Sequence, residues 1–395
     1  MAWAPTSVIV TMTVGLLSGI QVMTSRANGQ RRPEITGAVL RRGLSYSLWI
    51  GLASTLVLVA GGPAFLHILG LEKDLADGAS KPLLIFALSM PGYALSVAAS
   101  FWLEGQGRPK PAAAMMWLAN AVNLALDLLL VPGAFGLEPL GAVGAAWATT
   151  GARTFLAIAL VAYIVRMPDS RALGVFTKPE RDLAAEAEQR RIGYGAGASN
   201  FFEVASFAGM NVIAGWIGGL AVAAWAITLN VIAIIFMVPL GLSTGAAVLV
   251  GRAYGARDAA AVNRAGLIAF AVTAIFGLLV SLIVWPGARL IAGAYTHDPL
   301  TLAMAAPAVA LSCLFLIPDA VQVVAAQALR ARGEVWIPTF THLASYVLVM
   351  APLAWWLAIP MGLGLNGIVW AVIAASFLSA ALLLARFQWL SARGR

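Results

Sequence analysis

Eleven apolar runs, each of about 20 residues or more, dominate this chain of 395 residues and exclude an ordinary water-soluble fold. A run of that length crosses the hydrocarbon core of a bilayer, roughly 30 Å thick, as one helix. With 61% hydrophobic and 11% charged residues, the chain carries more apolar surface than a soluble core could bury. The sequence therefore predicts an all-α polytopic membrane protein with spans at 3–24, 42–62, 80–103, 112–132, 140–165, 192–215, 219–249, 264–285, 301–328, 336–358 and 364–389.

The basic residues alternate along the chain. The segments after every second span and the C-terminal tail, counted with the adjoining span ends, hold 21 of the 25 Lys and Arg residues. Cytoplasmic loops are enriched in Lys and Arg, so we expect a cytoplasmic C-terminus and, as written, a periplasmic N-terminus in a bacterial inner membrane. Basic residues follow the first run instead of preceding it, which predicts a retained span and not a signal peptide.

The chain also repeats itself at an offset of 226 residues. Residues 15–29 (GLLSGIQVMTSRANG) return as residues 241–255 (GLSTGAAVLVGRAYG), with 7 of 15 identical. Many membrane transporters are built from two such copies and bind substrate at the interface between them. We therefore expect two pseudo-symmetric helical lobes of five and six spans.

The charged stretch at 166–191 separates the two copies and predicts a cytoplasmic linker. The expected organisation is an N-terminal lobe at 1–165, the linker, and a C-terminal lobe at 192–395. Under the 226-residue offset, the span at 192–215 has no counterpart in the first copy. A six-plus-six duplication would thus lack its first helix in this chain, through a start-site error, a truncated gene or evolutionary loss.

Three acidic residues lie well inside apolar spans, namely Asp127, Glu203 and Asp319. An acid in hydrocarbon costs at least about 2.5 kcal/mol on insertion scales, so such residues usually face a cavity or a partner. Counting about 1.5 Å per residue from the span ends places Glu203 and Asp319 in the middle of the bilayer. We expect the two to form one cation- or proton-coupling site, with Asp127 as the candidate in the first lobe.

A polar stripe follows the fourth span. Asn120, Asn123 and Asp127 recur at spacings of three and four, which places them on one helical face. The stripe indicates either a water-lined surface or hydrogen bonds between helices. We expect the cavity to be lined by Asn120, Asn123, Thr149 and Gln322.

Several literal motifs carry no chemistry here. Residues 362–367 (GLGLNG) fit the dinucleotide fingerprint but join two spans and follow no strand. Glycines 193, 195 and 197 predict close helix contacts. The chain has no HExxH, GxxxxGK[ST] or GxSxG motif, and its three histidines are scattered. We expect no enzymatic activity, metal site, cofactor or nucleic-acid partner.

Three segments resemble one transporter family: Phe201-Phe-Glu203-Val, residues 238–255 (VPLGLSTGAAVLVGRAYG) and residues 319–330 (DAVQVVAAQALR). In content and order they are similar to the MATE (multidrug and toxic compound extrusion) transporters of the NorM-like bacterial branch. The resemblance implies two six-helix lobes in a V-shaped monomer. It also implies alternating access, in which inward H+ or Na+ movement drives export of amphipathic or cationic drugs.

The resemblance also implies roles for particular residues. The acids matching Glu203 and Asp319 form a cation site in the second lobe, and Asn123 and Asp127 match residues that hydrogen-bond with an acid on the first helix. From the 226-residue offset we expect that helix to be missing in this chain. Sodium-coupled relatives tend to have a tyrosine where this chain has Phe315, which favours H+ over Na+.

Two alternatives to an exporter remain open at this stage. A lipid-linked saccharide flippase of the same superfamily would need several basic side chains to hold a pyrophosphate, and only Arg153 lies well inside a predicted span. A truncated membrane protein that does not transport would leave polar residues such as Asn123 facing lipid.

Overall fold

The structure is a computed structural model that describes residues 3–68, 73–133, 136, 138–177 and 182–393. Within those ranges the ordered elements are all helices. They are α1 (Trp3–Gly29), a 3₁₀ turn (Pro33–Ile35), α2 (Thr36–Ile68), α3 (Lys73–Leu88), α4 (Met90–Gly105), α5 (Pro109–Leu130), α6 (Gly141–Arg166), α7 (Leu183–Ile217), α8 (Gly219–Gly255), α9 (Ala259–Gly293), α10 (Pro299–Ala331), α11 (Trp336–His342), a π-helix (Leu343–Met350), α12 (Ala351–Ala358) and α13 (Gly364–Arg393).

Most of these helices suit a bilayer. Among the described residues, nine single helical segments are long and apolar enough to span a membrane, and the bent pair α3/α4 makes a tenth. The remaining long helix, α7, is less apolar because its first turns carry charged residues that we had assigned to the linker. These turns are helical, and i,i+3 and i,i+4 ion pairs such as Arg190 with Glu186 contribute to their stability.

The chain forms two compact units, Met1–Gly197 and Ala198–Arg395. The backbone conformation also recurs between the two units at the 226-residue offset seen in the sequence. Arg31 and Arg257, 226 positions apart, both adopt a φ of 57°, just after α1 and α8 end. A left-handed conformation costs a non-glycine residue roughly 1–2 kcal/mol, so its recurrence at equivalent positions indicates one helix–turn–helix geometry used twice.

One central helix organises each unit. In the second unit α10 packs against α8, α9 and α13, and in the first unit α4 packs against α1, α2 and α6. The two central elements differ in one respect, because the predicted span at 80–103 bends by 42° between α3 and α4. Pro91 lies in the first turn of α4, where a proline suits a helix start. In α10 the prolines at 307 and 318 lie inside one continuous helix.

Glycines bring α1 and α7 into direct backbone contact within the first unit. A Cβ atom at Gly193 would lie 2.0 Å from the carbonyl oxygen of Leu16, and one at Gly15 would lie 2.6 Å from the Cα of Gly197. Small residues four apart let two helices approach this closely. The close contacts predicted for Gly193 and Gly197 are therefore present.

Candidate functional site

Asp319 lies near the middle of α10 and is 5% exposed. Its Oδ1 accepts hydrogen bonds from the hydroxyl groups of Tyr346 and Ser376, each at 3.4 Å. Tyr346 belongs to the π-helix, a rare geometry that often occurs at functional sites. Three elements, α10, the π-helix and α13, thus converge on one buried carboxyl group.

Glu203 approaches the same place from α7. Its carboxyl group interacts electrostatically with Asp319 and with Arg330. Arg330 lies at the end of α10, is 3% exposed, and donates a hydrogen bond from Nη1 to Gln327 at 3.3 Å. We call Glu203, Asp319 and Arg330 the charged cluster. Inside the second unit, Glu203 is thus within electrostatic range of one acid, Asp319, and of one base, Arg330.

His342 adds a second polar group beside the charged cluster. It is 2% exposed, and its Nδ1 lies 3.1 Å from the hydroxyl of Ser199 on α7. Its ring contacts Tyr346 edge to face at 5.5 Å, and the charge of Arg330 acts on it. Within the described ranges, its buried Nε2 has no hydrogen-bond partner.

Gln322 lies one turn after Asp319 and is fully buried against α13. Its Oε1 accepts a hydrogen bond from Ser379 at 3.5 Å. Beside Asp319, a cavity of about 10 Å³ lies between α8, α9 and α10. That volume suits about one water-sized group.

The first-unit candidates lie on α5 and α6. Asn120 is exposed, whereas Asn123, Asp127 and Thr149 are half-buried. The Nδ2 of Asn123 is buried without a partner in the described part of the chain. The structure places these residues in the first unit, where no described contact joins them to Arg153.

Arg153 faces the bent helix pair instead of α5. Its Nη1 donates to the hydroxyl of Ser89 at 2.7 Å, and its guanidinium lies 4.8 Å from the ring centre of Tyr93. Arg153 therefore fixes the bend between α3 and α4.

The 226-residue offset relates the two units residue by residue. Tyr93 occupies the position of Asp319, and Glu104 occupies the position of Arg330. Glu104 accepts a hydrogen bond from the side chain of Gln21 at 2.7 Å. The first unit thus has no acid at the Asp319 position and has the opposite charge at the Arg330 position.

Sequence reasoning missed the arginine and the aromatic partners. We had assigned Arg330 to the loop after the span at 301–328, which is wrong because α10 continues to Ala331. The sequence did indicate that Arg330 and Asp319 could share a helical face. Arg330 follows Asp319 by eleven residues, which is three helical turns. Nothing in the sequence marked the π-helix that carries Tyr346.

Repeated helical units, apolar membrane-crossing helices and buried charges define an integral membrane transporter. Comparison with known proteins agrees. The family model described as MatE matches residues 1–129 and 196–356. The two matches end at positions separated by the offset of the repeat to within one residue. The chain belongs to the MATE family, whose members are transporters and not enzymes.

Individual relatives are similar over most of their length. The chain is 62% identical to "Probable multidrug resistance protein NorM" of Caulobacter vibrioides, over 100% of this chain and 84% of that protein. It is 31% identical to the protein of the same description from Bradyrhizobium diazoefficiens, over 97% of this chain and 83% of that protein. The crystal structure of MATE in the bent conformation shares the fold, with a TM-score of 0.91 at 17% identity, covering 100% of this chain and 87% of that one.

Proposed function

We propose that this protein is a secondary active exporter of amphipathic or cationic small molecules, driven by inward movement of protons through alternating access. The observation that carries the proposal is the charged cluster. Two carboxyl groups within electrostatic range of each other, one buried (Asp319) and one half-buried (Glu203), are costly to keep in a membrane without a function. Binding of a cation relieves their repulsion, and its release restores it, which is what coupling to an ion gradient requires.

The cluster favours a proton over sodium as the coupling ion. The guanidinium of Arg330 acts on Glu203, so a metal cation entering there meets a fixed positive charge. A proton avoids this conflict because it forms a bond with a carboxyl oxygen. Apart from Asp319 itself, the described residues that line the cavity beside it have apolar side chains or none, whereas a sodium ion needs several oxygen ligands. The aromatic ring of Phe315 supplies no such ligand.

The substrate class rests on the relatives. Both NorM proteins are described as probable multidrug resistance proteins. The proposed orientation, with a cytoplasmic C-terminus, rests on the distribution of Lys and Arg residues. The proposed location in a bacterial inner membrane rests on the bacterial relatives. Asp127, Asn120, Asn123 and Thr149 are the first-unit candidates for ion or substrate contact, and Gln322 is the candidate beside the charged cluster.

Transport in membrane vesicles tests the proposal. Glu203→Gln and Asp319→Asn each replace an acid by its neutral isostere, and Glu34→Gln does the same at an exposed turn before α2. We expect the first two variants to lose efflux of a fluorescent cationic dye driven by a pH gradient, with unchanged protein levels. The Glu34 variant should transport normally.

Two results would count against this reading. Undiminished efflux in both cluster variants would remove the charged cluster from the mechanism. Efflux driven by a sodium gradient at constant pH, and abolished by the same substitutions, would replace the proton by sodium while keeping the cluster.

A further inference from the structure

A second polar site lies in the first unit. A cavity of about 530 Å³ opens between α2 and the start of α7. Arg41 and Arg42 contribute from α2, and Arg190 contributes from α7. Its volume falls in the range of about 300–1,000 Å³ typical of small-molecule sites.

The cavity has an excess of positive charge. Its only acidic lining residue within the described ranges is Glu186, whose Oε2 accepts a hydrogen bond from Arg190 Nη2 at 2.8 Å. Arg41 and Arg42 repel each other, and neither has an acidic partner among the described residues that line the cavity. An anion entering the cavity would relieve that repulsion.

The arginines are held in place by neutral backbone groups. Arg41 donates from Nη1 to the carbonyl oxygens of Gly174 and Val175, the second at 2.9 Å. Arg42 donates from Nη1 to the carbonyl oxygen of Asp182 at 3.4 Å. In the described part of the chain, the Nε atoms of both arginines are buried without a partner. Fixed guanidinium groups with spare donors are suited to a phosphate.

An apolar path leads from the basic cavity along α2 into the membrane. Trp49 lines the cavity two turns after Arg42 and is 69% exposed. Leu52 and Leu56 follow on the same helical face, with 47% and 68% of their surface exposed. A basic pocket that continues into a lipid-facing apolar stripe matches a molecule with an anionic head and a hydrocarbon tail.

We infer that this cavity binds an anionic phospholipid of the phosphatidylglycerol type. The phosphate lies between Arg42 and Arg190, and an acyl chain lies along Trp49, Leu52 and Leu56. Basic pockets between membrane helices recognise acidic headgroups in this way. The inference needs only that the helices lie in a bilayer, so it stands or falls independently of the proposed transport mechanism.

Lipid titration of the purified full chain tests the inference. Short-chain phosphatidylglycerol is titrated into the detergent-solubilised protein, and binding is followed by native mass spectrometry. Phosphatidylcholine and inorganic phosphate serve as the zwitterionic and tail-free probes. The variants are Arg42→Gln, Arg42→Gln/Arg190→Gln and Trp49→Ala, and the matched control is Arg264→Gln, which removes an exposed arginine of α9.

We expect wild type and the Arg264 variant to prefer phosphatidylglycerol. Each arginine near a membrane surface strengthens binding of an acidic lipid about fivefold, so the single variant should bind about fivefold more weakly and the double variant about 30-fold. Trp49→Ala should weaken lipid binding without affecting phosphate. If the double variant does not fold, the single variant decides, because it keeps the ion pair between Arg190 and Glu186.

Three results would overturn the inference. The first is equal affinity of wild type and Arg42→Gln for phosphatidylglycerol. The second is equal binding of phosphatidylcholine. The third is full displacement of the lipid by inorganic phosphate at the same concentration, which would mark a free-anion site.

Discussion

Adding one methyl group at Gly193 tests the close packing of α1 against α7. The new Cβ would lie 2.0 Å from the carbonyl oxygen of Leu16, whereas real Cβ contacts are essentially never closer than 3.0 Å. The obstacle is backbone and cannot rotate away, so the helices must separate by about 1 Å. Overpacking of this kind costs typically about 1–3 kcal/mol. We therefore expect Gly193→Ala to lower the free energy of unfolding by that amount.

Gly209 supplies the matched control on the same helix. A Cβ at Gly209 meets nothing within 4 Å, so Gly209→Ala should only gain helix propensity, at most about 1 kcal/mol. The assay is reversible unfolding in mixed micelles, followed by loss of helical circular dichroism. The two substitutions are chemically identical and should act with opposite sign. Equal stability of the two variants would refute the packing argument.

Two further predictions concern charge pairs. Glu203→Gln and Arg330→Gln should be coupled in a double-mutant cycle by about 0.5–3 kcal/mol in unfolding free energy, and additive effects would show that the two do not interact. On the surface, hydrogen bonds from Arg108 lower the pKa of Asp169. Their stabilising effect is therefore present above the unfolded pKa of about 3.9 and is lost as pH falls through the lower folded value. Arg108→Gln should be less stable than wild type at neutral pH and equally stable in strong acid, and a constant difference across this range would contradict the assignment.

Much of the architecture could be predicted because bilayer thickness and helical rise fix the length of a span. The bend at Ser89 and the π-helix could not, because they depend on contacts between helices that are distant in sequence. Glu203 and Asp319 stood out because acids are rare in apolar runs. Arg330 did not stand out, because a basic residue near a span end looks like a loop residue until the helix is known to continue.

Residues 104 and 330 occupy one place in the repeat, yet one is a glutamate and the other an arginine. Each is the second-to-last residue of the central helix of its unit, and these two helices end 226 residues apart, at Gly105 and Ala331. The backbone therefore does not dictate the sign of the charge at this place. After a gene is duplicated, the charge at such a position can change in one copy while both copies keep the same backbone fold. One copy can then become specialised through its side chains alone.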